Sequence, residues 1–210
     1  LGFNRHPDID CSPILDERSA AFIALGFAKR NQKPSVLLCT SGSAPTHWFP
    51  ALAEASHSSI PLLLLSADRP PELRDCGAGQ TINQIKIFGS FVRSFTEINL
   101  PSSKNSEIHS LRQSLCLAHA ESIGLNPGPV HLNFPFREPF IPKNADKLQV
   151  LLKTELPKQT KFKNPDLIDS IQKEIKSCKF PLIIVGERVP IEFILEWLKR
   201  NQVPVFCDSL

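Results

Sequence analysis

The spacing of apolar positions divides the first two thirds of the chain into short blocks that alternate between helical and strand periods. Asp16, followed by Ala20, Ala21, Ala24, Phe27 and Ala28, predicts a helix that runs to about Arg30, with Asp16 as its N-cap and a small-residue face. Residues 35–40 form a brief apolar run that ends at Thr40-Ser41-Gly42-Ser43, the pattern of a buried strand passing into a helix over 44–57. A second buried strand is expected over 62–66 and a looser one over 91–98. Next come a helix over 106–123, with Ile108, Leu111, Leu115 and Ala118 on one side, and a strand over 128–133. Strands alternating with helices predict an α/β fold with a mainly parallel sheet covered by helices on both faces.

The pattern weakens after Arg137. Prolines and lysines accumulate, and residues 141–164 read as an exposed linker. The expected organisation is therefore a first domain over 1–140, the linker, and the start of a second α/β domain over 165–210. That second part carries an amphipathic helix over 166–178, strands over 181–186 and 203–206, and a helix over 191–200. So short a stretch is too small to bury a core alone, so the second domain is expected to be incomplete.

Composition narrows the function classes. Of 210 residues, 41% are apolar and 21% charged, the usage of a globular protein. The longest apolar run, 60–65, has strand length, far short of the ~18 residues a membrane span needs. A net charge of +3, with basic and acidic residues interspersed, argues against nucleic acid as the main partner. The chain opens with Leu1 and contains no Met, so it is expected to be a piece of a longer reading frame. No secretory leader pattern opens it. Six widely spaced cysteines, with no C-x-x-C pair and no histidine at ligand spacing, are expected to be reduced, mostly buried small hydrophobes rather than zinc ligands. The expected compartment is cytoplasm, or a plastid in a photosynthetic eukaryote.

Four segments carry candidate chemistry. Ala67-Asp68-Arg69-Pro70-Pro71-Glu72-Leu73-Arg74-Asp75 packs its charges directly after a buried strand, where open α/β sheets bind ligands. Arg69 and Arg74 suit a carboxylate there; the plain alternative is a solvated loop with internal ion pairs. Cys76-Gly77-Ala78-Gly79-Gln80-Thr81 follows, either a turn or a close backbone approach to a ligand, with Gln80 as an amide donor. Thr40-Ser41-Gly42-Ser43 offers backbone N–H groups to a polar ligand, or merely caps a helix. Glu17 opens the first helix, where an acidic residue also complements the helix dipole.

Taken in order, Asp16-Glu17-Arg18-Ser19-Ala20, Cys39-Thr40-Ser41-Gly42-Ser43-Ala44 and the run from Ser66 to Gln80 resemble the N-terminal, pyrimidine-binding domain of thiamine-diphosphate enzymes. The A-D-R-P-P-E-L-x-D-C-G-A-x-Q run is more narrowly similar to the 2-succinyl-5-enolpyruvyl-6-hydroxy-3-cyclohexene-1-carboxylate synthases of menaquinone and phylloquinone biosynthesis. His131-Leu132-Asn133-Phe134-Pro135-Phe136-Arg137-Glu138-Pro139 resembles the end of that domain.

The resemblance implies decarboxylation of 2-oxoglutarate on thiamine diphosphate, with Mg²⁺ holding the diphosphate, and addition of the succinyl unit to isochorismate. It implies a homodimer or homotetramer, with the cofactor shared between the pyrimidine domain of one subunit and the diphosphate domain of another. Glu17 would bond the aminopyrimidine ring, Thr40, Ser41 and Gly42 would line the cofactor side, and Arg69 and Gln80 would meet substrate. No metal ligand is assigned within the chain; the family's metal-binding domain and its G-S-R-S segment are expected to lie outside it, and these residues alone are expected to be inactive. Gly79 stands where Asn is common in that family. Two alternatives remain open: another thiamine-diphosphate enzyme, of acetolactate synthase or 2-oxoacid decarboxylase type, and a non-catalytic interaction domain of the same fold.

Overall fold

A computed structural model describes residues 6–140, 165–186 and 202–207, together with Phe3, Glu196, Lys199 and Arg200. The chain divides into two compact units, Leu1–Gln159 and Thr160–Leu210. The linker expected over 141–164 and nearly all of the helix expected over 191–200 lie outside the described residues.

In the first unit, helix α1 (Glu17–Asn31) leads to strand β1 (Ser35–Cys39). A 3₁₀ turn (Ala44–Trp48) then runs into helix α2 (Phe49–His57) and strand β2 (Leu62–Asp68). Strand β3 (Phe95–Glu97), helix α3 (Asn105–Ser122) and strand β4 (Pro129–Pro135) complete the unit. The sheet has the order β1-β2-β4-β3, and every pairing is parallel. The expected α/β fold with a parallel sheet is therefore the fold observed.

Strand alternation sorts the two cores. Leu62 and Leu64 of β2 point to one face, where they meet Leu37 of β1, Trp48, Ala51, Leu52 and Ala55, and Phe88. Helix α1 packs there through Ala21, Ala24, Leu25 and Ala28, a helical stripe of small residues that lets the helix approach closely. Leu65 of β2 and Val130 and Leu132 of β4 point to the other face, against Ile98 and Ala118, with Leu111 and Phe134 at the margin.

Several details depart from the sequence pattern. Phe27 is not part of the α1 core face but is 63% exposed, and Leu25 takes its place. Leu115 of α3 is 38% exposed. The strand expected over 91–98 shrinks to Phe95–Glu97, because Phe91 and Val92 leave the sheet to pack on the first core. Helix α3 packs mainly on β4 and β2. Val36 and Leu38 on that face of the edge strand are consequently exposed, so helical cover is incomplete there.

The cysteines also differ from expectation. Cys11, Cys76 and Cys178 are exposed, Cys39 and Cys116 are half-buried, and all five are free thiols. Cys116 lies mid-helix in α3 and Cys39 packs at the margin of the first core, while Cys11, Cys76 and Cys178 lie outside helices and strands.

The second unit contains helix α4 (Pro165–Ser177) and a parallel pair, β5 (Ile183–Val185) with β6 (Val205–Cys207). Among the described residues, no helix is long and apolar enough to cross a membrane.

Candidate active site

A parallel sheet delivers the carboxyl ends of its strands to one edge, so the segments that follow them must meet there. The register makes this concrete. Cys39 of β1 aligns with Ser66 of β2, Ser66 with Asn133 of β4, and Asn133 with Glu97 of β3. Just beyond this row lie the turn at 40–42 and the charged segment that starts at Asp68.

The turn and the segment around Gln80 are joined directly. Ser41 Oγ donates to the Gln80 carbonyl at 3.1 Å. Gln80 Nε2 donates to Thr40 Oγ1 at 2.9 Å and to the Ser41 carbonyl at 3.2 Å. Gly42 has φ +85°, and an added Cβ would stand 3.0 Å from Gln80 Cγ and 3.2 Å from its carbonyl oxygen, so both the backbone and the close approach require glycine. With its NH₂ engaged, Gln80 has only its amide oxygen to offer a ligand, an acceptor rather than the donor its sequence position implied.

Glu17 begins α1, directly after Asp16, whose side chain accepts the Ser19 N–H at 2.7 Å and caps the helix. That bond holds the Asp16 carboxyl below the usual carboxylate range. Glu17 is half-buried, and no hydrogen bond or ion pair to another described residue engages its carboxylate. It lies close to Cys39. Burial, with the Glu17 charge adding to it, pushes the Cys39 thiol up to about 12, so this cysteine stays a protonated thiol at neutral pH.

The two arginines separate. Arg74 is committed to the fold: it pairs with Asp68 at 2.8 Å and Glu97 at 2.6 Å, and its Nε donates to the Arg69 carbonyl at 3.1 Å. The plain reading, internal ion pairs, therefore holds for Arg74. Arg69 is only lightly held. One terminal nitrogen donates to the Gly79 carbonyl at 3.3 Å, and its buried Nε has no hydrogen-bond partner among the described residues. A buried donor left unpaired costs free energy that an incoming carboxylate would recover. At the outer end of the segment, Glu72 pairs with Arg137 in fork geometry, which holds the Glu72 carboxyl below its usual range.

Beneath the site runs a buried polar network that the sequence analysis missed. Asn133 Nδ2 donates to Asp68 Oδ2 at 2.7 Å and Glu97 Oε2 at 2.9 Å. Its Oδ1 accepts from Ser66 Oγ at 2.7 Å and Gln84 Nε2 at 2.9 Å. Since the Ser66 proton goes to Asn133, the serine oxygen accepts from His131 Nε2–H at 2.7 Å. His131 Nδ1 is then the bare nitrogen, buried and unpartnered among the described residues. Burial between Phe88 and Phe95 pushes the His131 pKa down to about 4, so the ring is neutral. The signal was present in the sequence: His131 and Asn133 alternate with Val130, Leu132 and Phe134 in a strand buried on both faces. Among the described residues, no cluster of His, Cys, Asp or Glu side chains is arranged to hold a metal ion.

The profile of the family described as "Thiamine pyrophosphate enzyme, N-terminal TPP binding domain" matches residues 1–87, a span that holds Glu17, the turn at 40–42, Arg69, Gln80 and Gln84. Over those residues the chain matches the thiamine pyrophosphate enzyme family. Within that family it is similar to proteins named 2-succinyl-5-enolpyruvyl-6-hydroxy-3-cyclohexene-1-carboxylate synthase. That of Trichodesmium erythraeum is 44% identical over 205 residues, 90% of this chain and 34% of the relative. That of Acaryochloris marina is 52% identical over 142 residues, 68% of this chain and 24% of the relative. That of Natronomonas pharaonis is 49% identical over 145 residues, 69% of this chain and 25% of the relative. The chain thus spans about a quarter to a third of the length of these relatives.

Proposed function

We propose that this chain is the pyrimidine-binding part of a synthase that decarboxylates 2-oxoglutarate on thiamine diphosphate and adds the succinyl unit to isochorismate. The observation that carries the reading is the meeting of the Glu17, 40–42 and Arg69–Gln80 segments at one sheet edge, in a chain whose relatives share the synthase name.

Glu17 fits the aminopyrimidine. It is a carboxyl group without a competing partner at a half-buried helix start. There it would share a proton with ring N1′ and hold the ring in register. Thr40, Ser41 and Gly42 would form the wall beside it, kept in shape by Gln80. When bound, the cofactor supplies an acidic ring carbon that adds to a 2-oxo group and accepts the electrons released as CO₂ leaves. Arg69 would hold a carboxylate of 2-oxoglutarate or isochorismate, substrates that are both polyanions at neutral pH. The Gln80 amide oxygen would accept from a substrate or cofactor donor. Mg²⁺ and the diphosphate are assigned to the family's diphosphate domain, contributed by another subunit of a homodimer or homotetramer.

Glu17→Gln in the natural full-length protein tests the reading. It keeps size and one hydrogen bond but cannot exchange the proton, so kcat should fall by about 10²- to 10⁴-fold. Cofactor affinity, measured by calorimetry, should change far less. C2–H exchange of the bound cofactor, followed by NMR, should slow in parallel. Equal exchange rates at full occupancy would return Glu17 to a helix-dipole role.

A further inference from the structure

Gln84 is 1% exposed and lies four residues beyond Gln80, the end of the Ser66–Gln80 run. Its amide orientation follows from its neighbours. The Gly42 N–H can only donate, so at 2.9 Å it faces Oε1. The Ala67 carbonyl at 3.0 Å can only accept, so it faces Nε2, which also donates to Asn133 Oδ1 at 2.9 Å. Asn133 in turn binds Asp68, whose other carboxylate oxygen accepts the Arg69 backbone N–H at 2.7 Å. One buried chain of hydrogen bonds therefore runs from the turn at 40–42, through Gln84 and Asn133, to the backbone of Arg69.

We propose that Gln84 is a positioning residue that fixes the 40–42 turn and locks it in register with the Arg69 segment, so that the cofactor wall and the substrate arginine keep one relative geometry. The assignment of those two sides rests on the function proposed above; the tether itself does not. A left-handed glycine needs an external restraint to stay in one conformation, because glycine gives its own backbone little. Gln80 restrains the turn from the exposed side. Gln84 restrains it from the buried side, where each lost bond leaves an unsatisfied donor or acceptor.

Gln84→Leu removes the acceptor for the Gly42 N–H. In the ligand-free full-length protein, amide exchange over 40–43 should accelerate by about tenfold or more. Strands β1 and β2 should keep their protection. Unchanged exchange over 40–43 would overturn the proposal.

Gln84→Glu supplies a second readout and covers a Leu variant that fails to fold. Protonated, the new carboxyl can accept from Gly42 and donate to Ala67 or Asn133. Ionised, it faces two acceptor oxygens. Its kcat should approach wild type at acidic pH and fall by roughly tenfold or more as pH rises, with the folded fraction constant by circular dichroism. A purely structural role predicts loss that follows the unfolded fraction, with a wild-type pH profile for the folded molecules, and that result would also overturn the proposal. If the wild-type protein itself fails to turn over 2-oxoglutarate and isochorismate, the function reading falls, while faster exchange in Gln84→Leu still upholds the tether.

Discussion

His131 shows how one buried ring ties stability to pH. Its ordinary pKa near 6.5 drops to about 4 in the folded chain because the core around it does not solvate a cation. The unfolded chain therefore takes up a proton that the folded one refuses. The resulting stability is fully present above pH 6.5 and is lost as pH falls from there toward 4. At about 1.4 kcal/mol per pH unit, the most this residue contributes is roughly 3 kcal/mol. Urea denaturation of the full-length protein across that range should show the loss, and His131→Gln should flatten it. A wild-type slope that survives the substitution would assign the acid sensitivity to other groups.

Arg69 is the other residue whose environment makes a quantitative demand. Its unpaired buried Nε and single weak bond to Gly79 leave the guanidinium available to an anion. Arg69→Ala should raise KM for an acidic substrate by about 10- to 150-fold, the loss of a charge-assisted bond worth roughly 1.5–3 kcal/mol. Lysine should rescue only part, since it lacks the planar fork. Arg74, with Asp68 and Glu97 already on it, should instead cost stability when replaced. A thermal-shift comparison of Arg69→Ala with Arg74→Ala separates the two roles, and a larger melting loss for Arg69→Ala would reverse the assignment.

At the scale of elements, the join between α3 and β4 depends on Arg93. Its guanidinium donates to the carbonyls of Asn126 and Pro127 and to Ser56, both at its hydroxyl and at its carbonyl, which ties the end of α2 to the entry of β4. Gly128 makes room for this clamp. An added Cβ would stand 2.6 Å from Arg93 Nε, and the arginine cannot swing away without breaking those bonds. Gly128→Ala should therefore destabilise by about 1–3 kcal/mol, the cost of buried groups left unpaired. Equilibrium unfolding measures it, and a neutral result would show that the clamp has slack. β3 is short because Phe91 and Val92 pack on the core; Arg93 still donates its backbone N–H to the Pro129 carbonyl at 2.7 Å while its side chain forms the clamp.

At the scale of the whole molecule, the proposed reaction needs more than one chain, because the pyrimidine side and the diphosphate side are assigned to different subunits. Light scattering on the active full-length protein should give a dimer or tetramer, and a fully active monomer would contradict the shared site.

The alternation of strand and helix, the N-cap at Asp16, and the 40–42 turn and Arg69–Gln80 segment as separate candidates were all legible in the sequence; that the two join was not. They are set by local periodicity, by turn chemistry and by a charged run placed after an apolar strand. The buried network of Ser66, Gln84, His131 and Asn133 was not, because its members are separated by up to 67 positions and meet only through strand register and the loop that carries Gln84. Register also decided which arginine is free. Glu97 reaches Arg74 only because β3 lies beside β4, and with Arg74 thus occupied, Arg69 is the arginine with the lighter internal commitments. Periodicity and turn chemistry depend on neighbours along the chain, so the sequence alone determined the elements and the segments that follow the strands. The choice among polar side chains at that site depends on distances across the sheet, and those exist only once the strands have paired.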